Sequence, residues 1–197
     1  MDRKTISLHK GSGRAENVEG MQTDSGLVHI YTGESKGKTT AAMGLALRCA
    51  GYTKKVIIVQ FFKFFTGEKK SFSALPNVEY LQFNHKASFF KDYETEEFKT
   101  MQMEFFRFWE SIVTKIEKEE PDLVVFDEAS YIFSDNIASP ELMSSFLDNK
   151  PYKTEVVMTG RGFPEQLLDR AHYITEMTKI RHPFDTMQLA ARKSIEF

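Results

Sequence analysis

A chain of 197 residues is long enough for one domain with a substantial core. Its composition, 41% hydrophobic and 27% charged with a net charge of −2, matches a soluble globular protein and gives no ground for a nucleic-acid duplex or an anionic membrane as the main partner. No uninterrupted apolar run reaches the roughly 18 residues of a membrane span, and the single cysteine, Cys49, excludes an internal disulfide and a cysteine-based zinc cluster.

Residues 1–24 are polar, glycine-containing and without periodicity, so a flexible tail is expected there. They also lack the apolar core of a secretory signal, which with the lone cysteine makes a reducing cytoplasm the expected compartment. Residues 25–197 show no repeat and no linker and read as one domain. LVHIYT (27–32) is a short β-rich run. Lys38 to Ala50 has the alanine and leucine content of a helix, with Gly51 placed as its C-terminal cap and Cys49 as a small buried residue. KVIIVQF (55–61) is apolar without alternation, the mark of a parallel strand buried on both faces. NVEYLQF (77–83) is a weaker third strand.

From Glu94 to Glu120 the apolar residues Phe98, Met101, Phe105, Phe108, Trp109, Ile112 and Ile116 recur every three or four positions. This predicts a long amphipathic helix stopped by Pro121. DLVVFDE (122–128), EVVMTGR (155–161) and HYITEM (172–177) complete six predicted strands. Strands alternating with helices define an α/β fold with a mostly parallel sheet flanked by helices, which binds ligands beyond the carboxyl ends of its strands. The polar clusters after Tyr31, Phe126 and Met158 all fall at such ends. The 18 phenylalanines are more than a core requires, and those in polar surroundings are candidates for gripping a flat apolar ligand.

Three clusters carry chemistry. The first is a variant of the phosphate loop G-x-x-x-x-G-K-[ST], running Thr32-Gly33-Glu34-Ser35-Lys36-Gly37-Lys38-Thr39 and continuing into Thr40, with threonine in place of the first glycine. Glycines let backbone amides converge on phosphate oxygens, and the helix that follows adds its N-terminal dipole. Lys38 supplies a point charge and Thr39 a hydroxyl for magnesium. The second cluster, Asp127-Glu128, puts two carboxylates at the end of a buried strand, as a magnesium–phosphate site requires. In the third, Thr159-Gly160-Arg161, the arginine is placed to meet a phosphate bidentately. Together these establish nucleotide binding on a P-loop, RecA-like sheet without saying which bond breaks.

TGESKGKTTAAMGLALRCAGYTKKVIIVQFFK, LVVFDEASY, VVMTGRG and TEMTKIRHPFD closely resemble, in order and spacing, the P-loop-type ATP:corrinoid adenosyltransferases. The resemblance spans residues 26 to about 186, and it makes the missing first glycine a family feature. It implies that cobalt(I) of a corrinoid, cobalamin or a precursor, attacks the ribose C5′ carbon of ATP and releases triphosphate. Thr32 to Thr40 and Arg161 would bind ATP, and Lys38, Thr39, Glu128 and Arg161 would be the catalytic groups. It further implies a homodimer, an electron-donating reductase or flavodoxin as partner, and aromatic side chains that displace the lower axial ligand of cobalt. The family's aromatic pair falls in a stretch that here reads NHKASFFKDYETEEF (84–98), so Phe89, Phe90 and Tyr93 are the candidates. His182 and Phe184 in IRHPFD are further corrinoid candidates, with a helix cap or a buried hydrogen bond as the other reading of His182. Ser35 departs from a position that is usually glycine, and Ser194 from another near the end of the chain.

Two other classes fit the residues. One is an adenosylcorrinoid carrier or regulator that has kept the pocket and lost turnover, a reading favoured by Ser35 and the altered aromatic stretch. The other is a RecA-like motor ATPase. The weak overall charge and the lack of a basic stripe argue against that one.

Overall fold

The computed structural model describes residues 24–63, 66–85 and 95–195. Its centre is a six-stranded sheet of β1 (Val28–Thr32), β2 (Val56–Phe61), β3 (Val78–Phe83), β4 (Leu123–Asp127), β5 (Glu155–Thr159) and β6 (Tyr173–Glu176). The spatial order is β3-β2-β4-β5-β1-β6, and every neighbouring pair is parallel. All carboxyl ends therefore face one side. Seven helices surround the sheet in the described residues: α1 (Lys38–Gly51), α2 (Gly67–Phe72), α3 (Glu96–Glu119), α4 (Tyr131–Ser134), α5 (Pro140–Asn149), α6 (Glu165–Leu168) and α7 (Pro183–Met187).

The continuous apolar runs do what they predict. Every residue of β2 and β4 is buried, and because side chains alternate across a strand the two faces sort into two cores. On one face Ile57, Val59, Phe61, Val124, Phe126 and Met158 pack with Phe105, Trp109, Ile112 and Ile116 of α3 and Phe146 of α5. This face is aromatic: Phe126 lies 6.2 Å from Phe61, 5.6 Å from Trp109 and 5.3 Å from Phe146, centroid to centroid. On the other face Val56, Ile58, Val125 and Val157 meet Ala42, Met43, Ala46 and Ala50 of α1 together with Phe72.

Helix α3 buries the predicted stripe except Phe108, which packs on the core but stays partly exposed. Thr95 caps it by accepting from Phe98 N (3.2 Å), with Glu96 and Glu97 in the first turn favouring the helix dipole. Glu120 ends it in a left-handed conformation just before Pro121. Two expectations are corrected. Gly51 is the last helical residue of α1 and Tyr52 is the cap, because Thr53 takes the left-handed turn. Cys49 is only half-buried, at the border of the α1 core. β6 is an edge strand exposed along its whole length. Among the described residues no helix is long and apolar enough to cross a membrane.

Phe126, fully buried at the centre of the aromatic face, carries the prediction for the fold. Phe126→Ala should cost about 3–5 kcal/mol, read as a lower midpoint in urea unfolding. A loss under about 1 kcal/mol would show that this face is not the main core.

Candidate functional site

The loop between β1 and α1 is shaped by two left-handed glycines, Gly33 (φ 100°) and Gly37 (φ 113°), the latter at the N-cap of α1. Its outer wall comes from the residue after β6. Met177 N donates to Thr32 O (2.8 Å), and Ser35 N donates to Met177 O (3.0 Å). A Cβ on Gly33 would sit 2.6 Å from Met177 O and 2.8 Å from Met177 N, so both shape and space demand glycine there. Ser35 contributes backbone alone to these contacts and has no positive φ, so serine costs no backbone strain where the family pattern has glycine. Lys38 is buried and curls back over the loop, its Nζ donating to Gly33 O (2.6 Å) and Ser35 O (2.8 Å). Burial is the main influence lowering the pKa of its ammonium, and Arg161 adds to it.

Two strands away, β4 delivers the acids. Asp127 is fully buried. Its Oδ1 accepts from Thr159 Oγ1 (2.6 Å), and its Oδ2 accepts from Gln60 Nε2 (2.8 Å) and Lys63 Nζ (3.0 Å). Glu128 turns away in a left-handed conformation (φ 60°), and its N donates to Thr159 Oγ1 (3.0 Å). Its Oε1 lies 3.0 Å from Lys63 Nζ, which also donates to Thr39 Oγ1 at 3.1 Å. One ammonium thus meets all three expected metal donors. Burial is the largest influence on Lys63 and acts to lower its pKa, but Asp127 and Glu128 outweigh it and hold the ammonium above its ordinary value.

Lys63 reaches this point because Phe62 takes a left-handed turn (φ 58°) at the end of β2. For a bulky residue that conformation costs of order 1–3 kcal/mol, the kind of strain that clusters at functional sites. Among the described residues no three His, Cys, Asp or Glu side chains gather as a metal site. The set of one hydroxyl and two carboxylates is nonetheless chemically suited to magnesium, a hard cation that takes few protein ligands.

Just past the intervening strand, β5, Gly160 packs so tightly against Ser130 that a Cβ would overlap its hydroxyl. Ser130 Oγ accepts from Arg161 N (2.8 Å), and the Arg161 guanidinium pairs with Glu34 across the mouth of the loop (3.0 Å). The phosphate loop, Lys63, Glu128 and Arg161 border a cavity of about 1360 Å³. Its polar wall includes Glu34 to Thr40, Lys63, Glu128 and Arg161, its apolar wall Met43, Leu47, Phe72 and Leu75, and a third side is formed by His182 and Lys193 to Ile195.

The cavity thus gathers most of the predicted phosphate residues. Thr32 and Gly33 act beneath it through backbone carbonyls, and Asp127 lies behind Lys63. His182 is a helix cap, its Nδ1 accepting from Phe184 N (3.1 Å), and it also lines the cavity. Phe184 is 60% exposed and is not among the lining residues. Phe89, Phe90 and Tyr93 lie outside the described residues, as does the predicted tail but for Asp24.

Sequence reading assigned no role to Lys63, Gln60, Ser130 or Met177. Gln60 had a signal, being the one polar side chain in an otherwise apolar strand. Lys63 had a fainter one, as a cation two residues past that strand's end. The roles of Ser130 and Met177 exist only through tertiary approach.

A strand–glycine loop–helix unit and an acid-ended strand, separated by one strand in an all-parallel sheet, define a P-loop nucleotide-binding α/β protein. The profile of the family described as ATP:corrinoid adenosyltransferase BtuR/CobO/CobP matches residues 24–197, and the chain belongs to that family of transferases. It is 30% identical over 166 residues to the corrinoid adenosyltransferase of Escherichia coli K12, covering 83% of this chain and 82% of that one. With the corrinoid adenosyltransferase CobA of Salmonella typhimurium LT2 the identity is 31% over the same 166 residues, again 83% and 82%. A corrinoid adenosyltransferase of Sinorhizobium sp. is 30% identical over 204 residues, covering 99% and 92%.

The Gly33 contact yields a direct test. Gly33→Ala should weaken ATP binding at least about tenfold, the clash with Met177 distorting the loop, while the circular dichroism spectrum stays native. Unchanged ATP affinity in a calorimetric titration would show that the loop does not depend on this close approach.

Proposed function

We propose that this protein transfers the 5′-deoxyadenosyl group of ATP to cobalt(I) of a corrinoid and releases triphosphate. The observation that carries the reading is the convergence of loop, Glu128 and arginine on one cavity, with Asp127 behind Lys63, in a chain of this family. A cavity of about 1360 Å³ exceeds the roughly 300–1,000 Å³ usual for one small ligand. It has room for a polyphosphate against its polar wall and a large apolar-faced partner beside it.

The backbone amides of the loop other than that of Ser35, which Met177 O holds, bind the triphosphate together with Lys38, and Arg161 exchanges Glu34 for a phosphate oxygen. Thr39, Asp127 and Glu128 are the residues to hold magnesium, which would supply positive charge to the leaving triphosphate. Cobalt(I) brings its own electron pair, so the new bond is cobalt–carbon, the broken bond is C5′–oxygen, and no general base is needed. Charge grows on the departing oxygen in the transition state, where groups fixed in advance contribute most. Phe89, Phe90 and Tyr93 are proposed to cover the lower face of the corrinoid, and His182 and Phe184 to lie at its edge.

We read residues 25–197 as one domain, acting as a homodimer in the cytoplasm with a reductase or flavodoxin as electron donor. The carrier reading drew on Ser35, and the purely backbone contacts of that residue remove this part of its support.

Under anaerobic conditions with magnesium and chemically reduced cobalamin, we expect one triphosphate by phosphorus NMR for each cobalt–carbon bond seen in the visible spectrum. Stoichiometric ADP with no adenosylated corrinoid would overturn the reading in favour of a motor ATPase. Lys38→Ala and Thr39→Ala should each lower turnover by about a hundredfold or more without loss of fold, and full activity in Lys38→Ala would remove the loop from the site.

Alanine at Phe89, Phe90 or Tyr93 should cost more with cobalt(II) supplied through a reductase than with prereduced cobalt(I). Equal losses in both assays, with weaker ATP binding, would mark these residues as structural.

A further inference from the structure

Lys63 Nζ stands 3.1 Å from Thr39 Oγ1, 3.0 Å from Asp127 Oδ2 and 3.0 Å from Glu128 Oε1. Those are the oxygens that the proposed function gives to magnesium. A metal bound to them at about 2.1 Å would take the position that the ammonium fills, and two cations cannot share it. The surroundings fit an exchange. If the ammonium leaves, Asp127 keeps its hydrogen bonds from Thr159 (2.6 Å) and Gln60 (2.8 Å). Gln60 is itself held from behind, its Oε1 accepting from Gln82 Nε2 at 2.9 Å. Only the charge needs replacing.

We propose that Lys63 is a built-in counter-cation that occupies the metal position until magnesium arrives with nucleotide, and then swings out to admit it. The inference rests on Thr39, Asp127 and Glu128 being the metal donors. Without nucleotide, magnesium must expel the ammonium and gains few ligands in return. With nucleotide, phosphate oxygens supply both further metal ligands and a new anionic partner for Lys63, whose side chain lines the same cavity. Magnesium and the triphosphate therefore favour each other's binding, a coupling that runs through one side chain.

The test uses the full chain and measures binding and stability. Magnesium alone, without nucleotide, is titrated calorimetrically into the wild type, Lys63→Met and Lys63→Gln, and thermal unfolding is followed in EDTA and in magnesium. The wild type should bind magnesium weakly and show a melting temperature indifferent to it. Both variants should melt lower in EDTA, recover with magnesium, and bind the metal about tenfold tighter than the wild type, since a charge-assisted hydrogen bond no longer competes. Lys63→Gln keeps a hydrogen-bond donor, one atom shorter and uncharged, so it carries the test if the methionine variant fails to fold.

Equal magnesium affinity in the wild type and Lys63→Gln would overturn the exchange while leaving the metal site standing. Absence of magnesium binding in every variant, even with ATP present, would instead overturn the metal placement and this inference with it.

Discussion

Asp127 has no exposed surface, and a carboxylate in that position must have its charge and lone pairs met from within the protein. Three donors do so, Thr159 from the end of β5 and Gln60 and Lys63 from the end of β2. Removing one partner of such a cluster costs far more than a surface ion pair contributes, because the other charge is left behind. The spacing of β2, β4 and β5 beyond their ladders, the turn at Glu128 and the path of the chain through Phe62 all serve this one buried charge. The contact from Lys63 to Thr39 brings the start of α1, and with it the phosphate loop, into the same cluster.

The left-handed residues show where local preference has given way to that arrangement. Phe62 and Glu128 adopt conformations that glycine or asparagine would hold more easily. In both cases the residue sits where a strand's end must redirect the chain within a single step. Side chains were retained at a backbone cost, as expected where geometry serves a site rather than stability.

Much of this was legible because periodicity and punctuation are local. The apolar runs at 55–61 and 122–128 needed no partner to announce a strand buried on both faces, and the glycines and lysine after Tyr31 announced a phosphate loop. The long helix was readable from its stripe and its proline, although Phe108 shows that a periodic position need not be fully buried. What remained hidden depends on approach in space. That Met177 walls the loop, that Ser130 presses on Gly160, and that Lys63 sits among three oxygens are facts of sheet order, which neither composition nor spacing encodes. His182 lay between the two cases, since a histidine before proline reads equally as a cap or a ligand; its Nδ1 contact with Phe184 N makes it a cap, and the same residue also lines the cavity.

The two faces of the sheet are built from different materials. Aromatic rings on the α3 side are large, numerous and in contact at many angles. On the α1 side the seam is alanine, with Ala42 and Ala46 fully enclosed against Val125 and Val157. A slab of rings has many ways to take up a changed side chain by repacking around it. Where alanine alone meets the strands there is less slack, so an added carbon pushes on the helix. Since Lys38 and Thr39 are the first two residues of that helix, the seam works as the shim that sets the height of the phosphate loop above the strands. Variation tolerated on one face would, on the other, be felt at once at the reacting end of the molecule.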